Sequence, residues 1–302
     1  MIVFVLGDIM LDEYVYVTPT KLSQEAPIAV GRYNKTIYVP GGAANAAANC
    51  AALGAHSFLA GYIGKDNSAE TIKALMGHHL IKDCVVEAPS WDTIRKVRIV
   101  DESGHQFVRV DYENPEPFIH LDSRAMLHQY IQTAKLTANS LLLSDYGKGT
   151  LQGVTMQAIS SFRENKKFVV VNGKPQNISQ YREANVVTMN KAEWEQVFKN
   201  NYPEPLPIHP GEIMKRMAKG FYDATLIMTC GSDPVVVYSH GDTYYYEASK
   251  VEVADVSGAG DTFAAVIAVL GNSDPDTIVA AVSAAGEVVS CKGTAVPKRR
   301  IL

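Results

Sequence analysis

The pattern of apolar and polar residues divides the first third of the chain into two kinds of strand. Ile2 to Leu6 is a short apolar run that ends at Gly7-Asp8, which predicts a buried strand of a parallel sheet. From about Tyr14 to Val39, and again over 93–112, apolar residues alternate with polar ones. Alternation predicts antiparallel strands with one solvated face. We therefore expect the segments of about 14–39 and 93–112 to form a small sheet beside the main one.

After Leu121 the pattern becomes a regular alternation of helices and apolar strands. Helices are predicted over 122–136, 150–163, 190–199, 210–220, 258–271 and 274–290. Strands are predicted over 139–144, 167–171, 184–188 and 224–229, followed by a hairpin over 233–246 and an apolar strand at Val251–Val253. This alternation predicts an α/β fold in which a mostly parallel central sheet carries helices on both faces. We expect one domain, 1–302, with the small β-sheet as a lid.

The composition of the chain narrows the classes of function. With 302 residues, 47% of them hydrophobic, and a formal net charge of −4, the chain can bury a large core and has no global basic field that would recruit nucleic acid. No apolar stretch approaches the roughly 20 residues that span a bilayer, and Met1 to Leu6 lacks the basic region of a signal peptide. We expect a cytoplasmic protein with no membrane partner and no nucleic-acid partner.

The cysteines and histidines show no metal-binding spacing. The cysteines lie far apart and form no C-x-x-C pair, which predicts reduced thiols and excludes a disulfide framework. These residues are Cys50, Cys84, Cys230 and Cys291. The histidines form no H-x-x-x-H pattern, and His78-His79 is predicted to be a loop pair. We expect no transition-metal site.

The strongest local signal for chemistry is a glycine-rich stretch that opens an apolar helix, Asp255-Val256-Ser257-Gly258-Ala259-Gly260-Asp261-Thr262-Phe263. The N–H groups of Gly258, Ala259 and Gly260 can converge on one point, and the helix dipole adds partial positive charge there, which suits a phosphoryl group. A carboxylate at the same point, Asp261, suits a base that accepts the proton of a substrate hydroxyl. An N-cap role for Asp261 on a glycine-rich turn is the alternative.

This stretch resembles the C-terminal signature of the ribokinase-like (PfkB) carbohydrate kinases, and two other motifs follow the family order. Pro40-Gly41-Gly42-Ala43-Ala44-Asn45 resembles the N-terminal glycine signature, which implies that Gly41, Gly42 and Asn45 approach the sugar. Asn190-Lys191-Ala192-Glu193 resembles the N-x-x-E motif, which implies that Asn190 and Glu193 act on the nucleotide phosphates and that Glu193 reaches Mg²⁺ through water. Taken alone, the first motif fits a helix packed on a sheet, and the second fits a capping box.

A closer resemblance is to one branch of that family, the kinases of heptose 7-phosphate. The stretches that carry it are Gly7 to Tyr14, Leu22 to Pro27, Leu143 to Gly149, and Gly293-Thr294-Ala295-Val296. The resemblance implies that Asp8 and Asp12 accept hydrogen bonds from sugar hydroxyls, at the sheet edge where ligands bind in such folds. A turn residue is the alternative for Asp12.

A phosphorylated sugar needs a cationic anchor, and the predicted hairpin over 93–112 offers one. Lys96, Arg98 and Arg109 alternate along its two arms, so that several could project from one face. A solvated charged face is the alternative. Asp111 and Asp145 are further candidates at the rim of the sugar site. Lys148, in a Gly-Lys-Gly loop, could reach either phosphate or be a surface loop residue.

On the nucleotide side, Thr229-Cys230-Gly231 resembles the turn that the family places beside adenosine, which implicates Thr229 and Gly231. Asn172-Gly173-Lys174 stands where the heptose phosphate branch has Asp-Pro-Lys, so Asn172 would be a neutral hydrogen-bonding group beside Lys174. Asp255 and Ser257 occupy positions where relatives hold a monovalent cation, and their oxygens suit K⁺ or Na⁺. A hydrogen bond within a turn explains those two residues equally well.

The resemblance implies an ATP-dependent sugar kinase that uses Mg²⁺ and could also use K⁺, with a heptose 7-phosphate as acceptor at O1. It further implies a homodimer formed through the lid strands. Another kinase of the same family, acting on ribose, fructose, a nucleoside or a hexose phosphate, is one alternative. A dinucleotide-dependent oxidoreductase is a second, although the first strand is not followed by G-x-G-x-x-G. A protein that binds sugar or nucleotide without turnover is the third.

Overall fold

A computed structural model describes residues 1–77, 80–114, 118–291, 293, 295–298 and 300–301. The predicted loop pair His78-His79 and the Thr294 position of the 293–296 motif lie outside the described residues. Within them the strands are β1 (Ile2–Gly7), β2 (Ile9–Leu22), β3 (Ala29–Gly42), β4 (His56–Ile63), β5 (Ile81–Glu87), β6 (Ile94–Val100), β7 (Gln106–Tyr112), β8 (Ser140–Ser144), β9 (Phe168–Asn172), β10 (Val186–Asn190), β11 (Thr225–Cys230), β12 (Asp233–Ser239) and β13 (Asp242–Tyr246).

The helices follow the predicted alternation closely. They are α1 (Ala43–Ala52), α2 (Asn67–Leu75), α3 (Leu121–Thr137), α4 (Thr155–Glu164), α5 (Lys191–Asn201), α6 (Pro210–Met217), α7 (Ala259–Leu270) and α8 (Pro275–Val289), with short 3₁₀ turns at Pro175–Gln180 and Ala218–Gly220. No helix in the described part of the chain is both long enough and apolar enough to cross a membrane.

The main sheet runs in the order β13-β12-β11-β10-β9-β8-β1-β4-β5. Neighbours from β11 through to β5 pair in parallel, and the hairpin of β12 and β13 adds two antiparallel strands at one edge. This confirms the mostly parallel sheet. Because all the parallel strands point the same way, their carboxyl ends meet along one edge, where open α/β sheets bind ligands.

Helices cover both faces of the main sheet, as predicted. Alternate residues of β1 enter different cores: Phe4 and Leu6 pack with α3, α4, α5 and α6, whereas Val3 and Val5 pack with α1, α2, α7 and α8. A strand that is buried on both sides must be apolar at every position, which is why the sequence shows short continuous apolar runs there. Helix α7 lies within the second core, and nearly all of its residues are buried.

The small sheet has the order β3-β2-β6-β7 and contains both segments that were predicted to form it. Two antiparallel hairpins join through a parallel pairing of β2 with β6. The pairing places Asp12 opposite Lys96, and Lys96 opposite Asp111. Arg98 lies opposite Arg109. Directly opposed residues share one face of a sheet, so the predicted common face of the three cations is present.

Two predictions about elements are wrong. Val251–Val253 forms no strand, and both valines are exposed, at 40% and 57%. The segment instead bends back so that the N–H groups of Ala254 and Asp255 donate to the carbonyl of Val289 at the end of α8. Helix α4 begins at Thr155 and not at residue 150, because the preceding residues make turns in which Gly149 and Gly153 have positive φ.

Candidate active site

Asp261 lies in the first turn of α7, at the carboxyl edge of the main sheet, with only 2% of its surface exposed. Three side chains from three other elements donate hydrogen bonds to its carboxylate. Asn45 donates at 2.8 Å and Asn172 at 3.1 Å, and the hydroxyl of Tyr146 lies 2.9 and 3.0 Å from the two oxygens. The N-cap of α7 is Gly258, which makes no side-chain cap. The carboxylate of Asp261 therefore serves partners outside its own helix, which disfavours the N-cap alternative.

Burial dominates the acidity of Asp261. Desolvation raises its pKa to about 6, although the hydrogen bonds from Asn45, Tyr146 and Asn172 act in the opposite direction and the nearby charge of Asp12 adds to the rise. Burial and the same carboxylate also raise the pKa of Tyr146 well above its usual value. Tyr146 therefore stays a hydroxyl and donates to Asp261, which remains able to take up a proton near neutral pH.

The start of α7 forms a cradle of main-chain N–H groups beside Asp261, in which the N–H of Ala259 also donates to the carbonyl of Val256 at 3.4 Å. Gly258 adopts the left-handed conformation with φ +83, which turns the chain into the helix. N–H groups in the first turn of a helix have no acceptor within it, and the helix dipole makes that end partly positive. A Cβ placed on Gly260 would meet only the side-chain amide of Asn172, at 3.9 Å, so the space beside it is open. These features fit a phosphoryl group, as the sequence predicted.

Asn45 is held in place by a buried network that the sequence did not reveal. Its side-chain oxygen accepts from the side chain of Asn49 at 3.1 Å, and Asn49 in turn accepts from the hydroxyl of Thr262 at 2.7 Å. Since its oxygen is engaged, the amide nitrogen of Asn45 is directed at Asp261. The glycines before α1 permit this close packing: a Cβ on Gly42 would lie 2.2 Å from the carbonyl oxygen of Asp8.

Asp8 is fully buried and does not face a sugar, which corrects the expectation of a sugar contact. Its carboxylate accepts from the backbone N–H groups of Tyr146 at 2.8 Å, Lys148 at 3.1 Å and Thr150 at 3.0 Å. Burial raises its pKa. A carboxylate at a strand end satisfies either a ligand or a loop, and here it fixes the loop over 145–150 that carries Tyr146.

Asp145 is also largely committed to the same loop. One of its oxygens accepts from the N–H of Gly147 at 2.7 Å, and the other accepts from the side chain of Asn177 at 2.8 Å and from the hydroxyl of Tyr181. With 2% of its surface exposed, Asp145 links the loop to Asn177 and Tyr181, and it also lines a cleft with Asp111 and Lys148. Its role at the rim of the sugar site stays a prediction.

Asp12 lies on the site-facing side of the lid, where Arg98 bonds to its carboxylate at 2.5 Å and stacks on Tyr14. The other predicted cations are also paired with carboxylates. Lys96 contacts Asp111 at 3.1 Å, and Arg109 contacts the same Asp111 at 2.9 Å. These three cations, Asp12 and Asp111 thus lie on one sheet face and form ion pairs with one another.

Glu113 is part of this charged group and was missed by sequence reasoning. It follows β7 directly and contacts Lys96 at 3.3 Å and Lys148 at 2.6 Å. Lys148 belongs to the loop over 145–150 of the main body, so Glu113 links the lid to that loop. Its place immediately after a predicted strand, in register with Asp111, was a signal available in the sequence.

The predicted nucleotide-side residues surround the end of β10. Asn190 and Glu193 form the capping box of α5, in which the Asn190 side chain accepts from the Glu193 N–H at 2.9 Å and the Glu193 carboxylate accepts from the Asn190 N–H at 2.8 Å. Glu193 also pairs with Lys174, whose ammonium lies 5.5 Å from the centre of the Tyr146 ring. Thr229 is the partner of Asn190 across the pairing of β10 with β11.

Gly231 and the predicted cation site lie in turns. Gly231 has φ +65 after β11, and a Cβ placed on it would meet nothing within 4 Å, so the surface there is open. Asp255 accepts from the N–H of Ser257 at 2.8 Å, a turn within the loop before α7. The described residues contain no group of three or more His, Cys, Asp or Glu side chains placed to hold a metal ion.

The structure therefore brings Asp261, Asn45, Asn172, the glycine turn and the Lys174–Glu193 pair to one edge of the sheet. Tyr146 is the second residue that sequence reasoning missed. It was available within the 143–149 motif, directly after the apolar strand β8. Its hydrogen bond to Asp261 spans 115 positions of the chain, and no local pattern indicates it.

Comparison with known proteins identifies the family of the chain. The sequence pattern described as "pfkB family carbohydrate kinase" matches residues 3–300. The bifunctional protein HldE of Gluconobacter oxydans (strain 621H) is 34% identical over an alignment 308 residues long, and the match covers 99% of this chain and 63% of that protein. The HldE of Enterobacter sp. (strain 638) is 35% identical over 295 residues, which cover 97% of this chain and 60% of that protein. This chain thus spans about three fifths of the length of these curated relatives.

Solved structures show the same ribokinase-like fold. Ribokinase of Arabidopsis thaliana, complexed with ribose and ATP, matches with a TM-score of 0.69 and 17% identity over 98% of this chain and 95% of that one. Phosphofructokinase-2 of Escherichia coli, in complex with potassium, matches with a TM-score of 0.76 and 16% identity over 98% of this chain and 94% of that one. With a family match over almost its whole length, the chain belongs to the pfkB family of carbohydrate kinases and is an ATP-dependent sugar kinase.

Proposed function

We propose that this kinase transfers the γ-phosphoryl group of ATP to O1 of D-glycero-β-D-manno-heptose 7-phosphate, which yields the 1,7-bisphosphate. The observation that carries the proposal is the position of Asp261, a buried carboxylate at the start of α7, between the lid residues and the open cradle beside Gly260. The sugar class rests on the similarity to the HldE proteins and on the cationic side chains of the lid.

In this proposal Asp261 accepts the proton of the O1 hydroxyl as that oxygen attacks the γ-phosphorus, and ADP leaves with the electrons of the broken bond to phosphorus. The N–H groups of Gly258, Ala259 and Gly260 hold the negative charge on the transferred phosphoryl oxygens. Tyr146 and Asn172 donate to Asp261 and fix the direction of its lone pairs. These donors keep the buried carboxylate ionised at neutral pH, although burial opposes ionisation.

For the acceptor sugar, we propose contacts with Asp12, Asn45 and the backbone at Gly41 and Gly42. A Cβ on Gly41 would lie 2.4 Å from a carboxylate oxygen of Asp12, so only glycine leaves room for that carboxylate beside the chain. The phosphate of the sugar would meet the cationic side chains of the lid, which are Lys96, Arg98 and Arg109. Bonds between such cations and phosphate are strong because both partners are charged.

For the nucleotide, we propose Lys174, Asn190 and Glu193 near the phosphates and Thr229 and Gly231 near the adenosine. The residues present fit a metal-bound triphosphate, because the cradle beside Gly260 is open and the carboxylate of Glu193 retains lone pairs for an ordered water. Mg²⁺, when bound, would neutralise charge on the nucleotide phosphates. Asp255 and Ser257 are proposed to hold K⁺ through the oxygens of their turn.

We propose that residues 1–302 act as one kinase domain and that two copies pair through their lids. The lid face opposite Lys96 and Arg98 carries an apolar strip, with Val97 paired to Val110 and Ile99 to Val108, beside the ion pair of Arg95 with Glu13. Val108 and Val110 are 45% and 42% exposed. A sheet face of this kind loses exposed apolar surface when a second copy covers it.

The test of this function replaces Asp261→Asn, with Asp276→Asn on the exposed first turn of α8 as the matched control. ADP release and product mass are measured with ATP, Mg²⁺ and a panel of sugars with and without a terminal phosphate. We expect the wild type and the control to convert the heptose 7-phosphate, and the Asp261 variant to lose at least about a hundredfold in kcat while it still binds the sugar.

The panel also separates the other functions. If ribose, fructose, a nucleoside or a hexose phosphate is turned over faster than the heptose 7-phosphate, that compound is the acceptor and the heptose 7-phosphate is not. Sugar binding without ADP release in the wild type would favour a protein that only binds its ligand. Near-normal kcat in the Asp261 variant would show that another group takes the proton.

A further inference from the structure

Glu113 holds two ammonium groups at once, and they come from different parts of the molecule. One carboxylate oxygen contacts Lys96 of β6 at 3.3 Å, and the other contacts Lys148 of the loop over 145–150 at 2.6 Å. Burial raises the pKa of Glu113, but the bonds to Lys148 and Lys96 outweigh it and leave that pKa below its usual range. Glu113 is therefore an anion between two cations.

The ion pairs around Glu113 join three cations to two carboxylates. Arg109, Lys96 and Lys148 supply the cations, whereas Asp111 and Glu113 supply the carboxylates. The carboxylate of Asp145 lines the same cleft as Glu113 and Lys148, so the two signs are equal in number while Glu113 is charged. The side chains of Lys96 and Lys148 are only 13% and 26% exposed, so water screens their charges incompletely.

A ligand can reach this group from outside. The charged side chains that line a cleft of about 740 Å³ there are Asp111, Glu113, Asp145 and Lys148, and side-chain amides such as Asn114 and Gln176 also line it. The loop that carries Lys148 also carries Tyr146, whose hydroxyl bonds to Asp261. The loop over 145–150 therefore contributes both to this cleft and to the surroundings of Asp261. Lys96 lies opposite Asp12, a proposed sugar contact, so the phosphate of a sugar bound there would lie near Lys96 and its partner Glu113.

We propose that Glu113 is a specificity-determining residue, because its carboxylate occupies the position that the phosphate of a phosphorylated sugar takes between Lys96 and Lys148. This inference rests on the proposed function and assigns one carboxylate within its acceptor site. A phosphate dianion has more charge and more acceptor oxygens than a carboxylate, so it displaces Glu113 from both ammonium groups. Glu113 is 29% exposed and follows the end of β7, so its side chain can turn into solvent.

The ion pairs of Glu113 therefore weaken the binding of a phosphorylated sugar and leave that of an unphosphorylated sugar unchanged. A sugar without a phosphate leaves the two Glu113 ion pairs intact and gains nothing from them. A phosphorylated sugar must break both pairs before it gains the two cations, so Glu113 weakens its binding. Removal of the charge of Glu113 should therefore strengthen the binding of the phosphorylated sugar and leave the other sugar unaffected.

The test compares Glu113→Gln with Glu102→Gln. Glu102 is a carboxylate at the tip of the same lid hairpin, paired with Lys35 at 3.6 Å and 59% exposed. The dissociation constants of D-glycero-D-manno-heptose 7-phosphate and of the same heptose without phosphate are measured by calorimetry in the absence of nucleotide, and thermal unfolding checks that each variant is folded.

We expect Glu113→Gln to lower the dissociation constant of the phosphorylated heptose about threefold to tenfold. The effect is of this size because the competing charge that is removed is partly exposed. The unphosphorylated heptose and the Glu102 variant should show no change. Lys96→Met should weaken only the phosphorylated heptose, by about tenfold. An unchanged or raised constant for the phosphorylated heptose in Glu113→Gln, or an equal change for both sugars, would overturn the inference.

The two proposals fail in different ways. If the wild type phosphorylates the heptose 7-phosphate but Glu113→Gln binds it as the wild type does, only the role of Glu113 is wrong. If the wild type neither binds nor phosphorylates that sugar but accepts another, the proposed acceptor is wrong and the role of Glu113 is wrong with it.

Discussion

Asp261 is buried and yet surrounded by groups that favour its charge. An uncompensated carboxylate at such a site would be protonated at neutral pH, because burial in a poorly polar environment disfavours the anion. Asn45, Tyr146 and Asn172 each donate to it, and its pKa of about 6 reflects the balance of these opposed effects. A base with a pKa just below neutral is ionised at pH 7 and still basic enough to accept a proton in the transition state.

The first prediction concerns the pH dependence of catalysis. The active form of Asp261 is the anion, so kcat/KM should be constant above about pH 7 and should fall about tenfold per pH unit well below its pKa of about 6. Asn172→Asp replaces a donor 3.1 Å from Asp261 by a second carboxylate. Two adjacent carboxylates raise the pKa of one of them, so we expect the midpoint of the profile to rise by about one unit or more.

Steady-state rates from pH 5 to 9, at fixed Mg²⁺ and ionic strength, measure this shift. Asn200→Asp, on the exposed surface of α5, is the matched control and should keep the wild-type midpoint. A variant Asn172→Asp whose profile coincides with that of the wild type would mean that Asp261 does not control the rate.

At the same scale, the sequence identified residues better than it identified their partners. The glycine-rich signature pointed to Asp261 and the Pro40–Asn45 motif pointed to Asn45, because these motifs are contiguous. Asp8 was misassigned because a carboxylate at a strand end can serve a sugar or a backbone loop, and only the fold shows the three N–H groups that it accepts. Glu113 was missed because it lies just beyond the predicted hairpin, and its bond to Lys148, 35 positions away, follows only from the fold.

At the scale of elements, the two glycines at the start of α7, Gly258 and Gly260, are needed for different reasons. Gly258 is needed for its backbone, because φ is +83 there. Gly260 has ordinary surroundings, since a Cβ would meet only Asn172 at 3.9 Å. The protein itself thus tolerates a side chain at Gly260, but that side chain would fill space that the proposed phosphoryl group needs.

We therefore predict opposite outcomes for two alanine variants. Gly258→Ala should lower the free energy of unfolding by about 1–2 kcal/mol, because a Cβ is disfavoured in the left-handed region. Gly260→Ala should change the free energy of unfolding by less than about 0.5 kcal/mol, as ordinary surface changes do, and yet lower kcat/KM by at least about tenfold. Denaturant unfolding and kinetics at varied ATP measure the two effects. A catalytically normal Gly260→Ala would contradict the proposed cradle.

Most elements could be predicted from the sequence because their patterns are strong. The parallel strands are buried on both faces and so appear as continuous apolar runs, whereas the lid strands alternate. The strand predicted at Val251–Val253 is absent because the pattern Val-Glu-Val is very short, and the chain bonds to the end of α8 instead. The predicted start of α4 was wrong because turn glycines shift a helix boundary without altering the apolar pattern that follows.

At the scale of the whole molecule, the order of the strands and the assembly of the lid lie beyond pattern reasoning. The two lid hairpins are separated by α1, β4, α2 and β5, and they join only through the parallel pairing of β2 with β6. That pairing sets Asp12 opposite Lys96 and so creates the charged face. The sequence predicted that these cations share a face, but not that each would contact a carboxylate.

The last prediction concerns assembly, and it depends on the lid face opposite Lys96 and Arg98. The cross-strand pairs of Val97 with Val110 and of Ile99 with Val108 leave an apolar surface that only a second copy is proposed to cover. Sedimentation velocity should therefore show a dimer of the wild type at micromolar concentration. Val110→Lys places a charge in this surface and should raise the dimer dissociation constant at least about tenfold, since a desolvated unpaired charge is costly. Leu136→Lys, at a 67% exposed position of α3, is the control and should remain dimeric. A wild type that stays monomeric at about 100-fold higher concentration would show that the lid has another role, and the exposed valines would then need a different explanation.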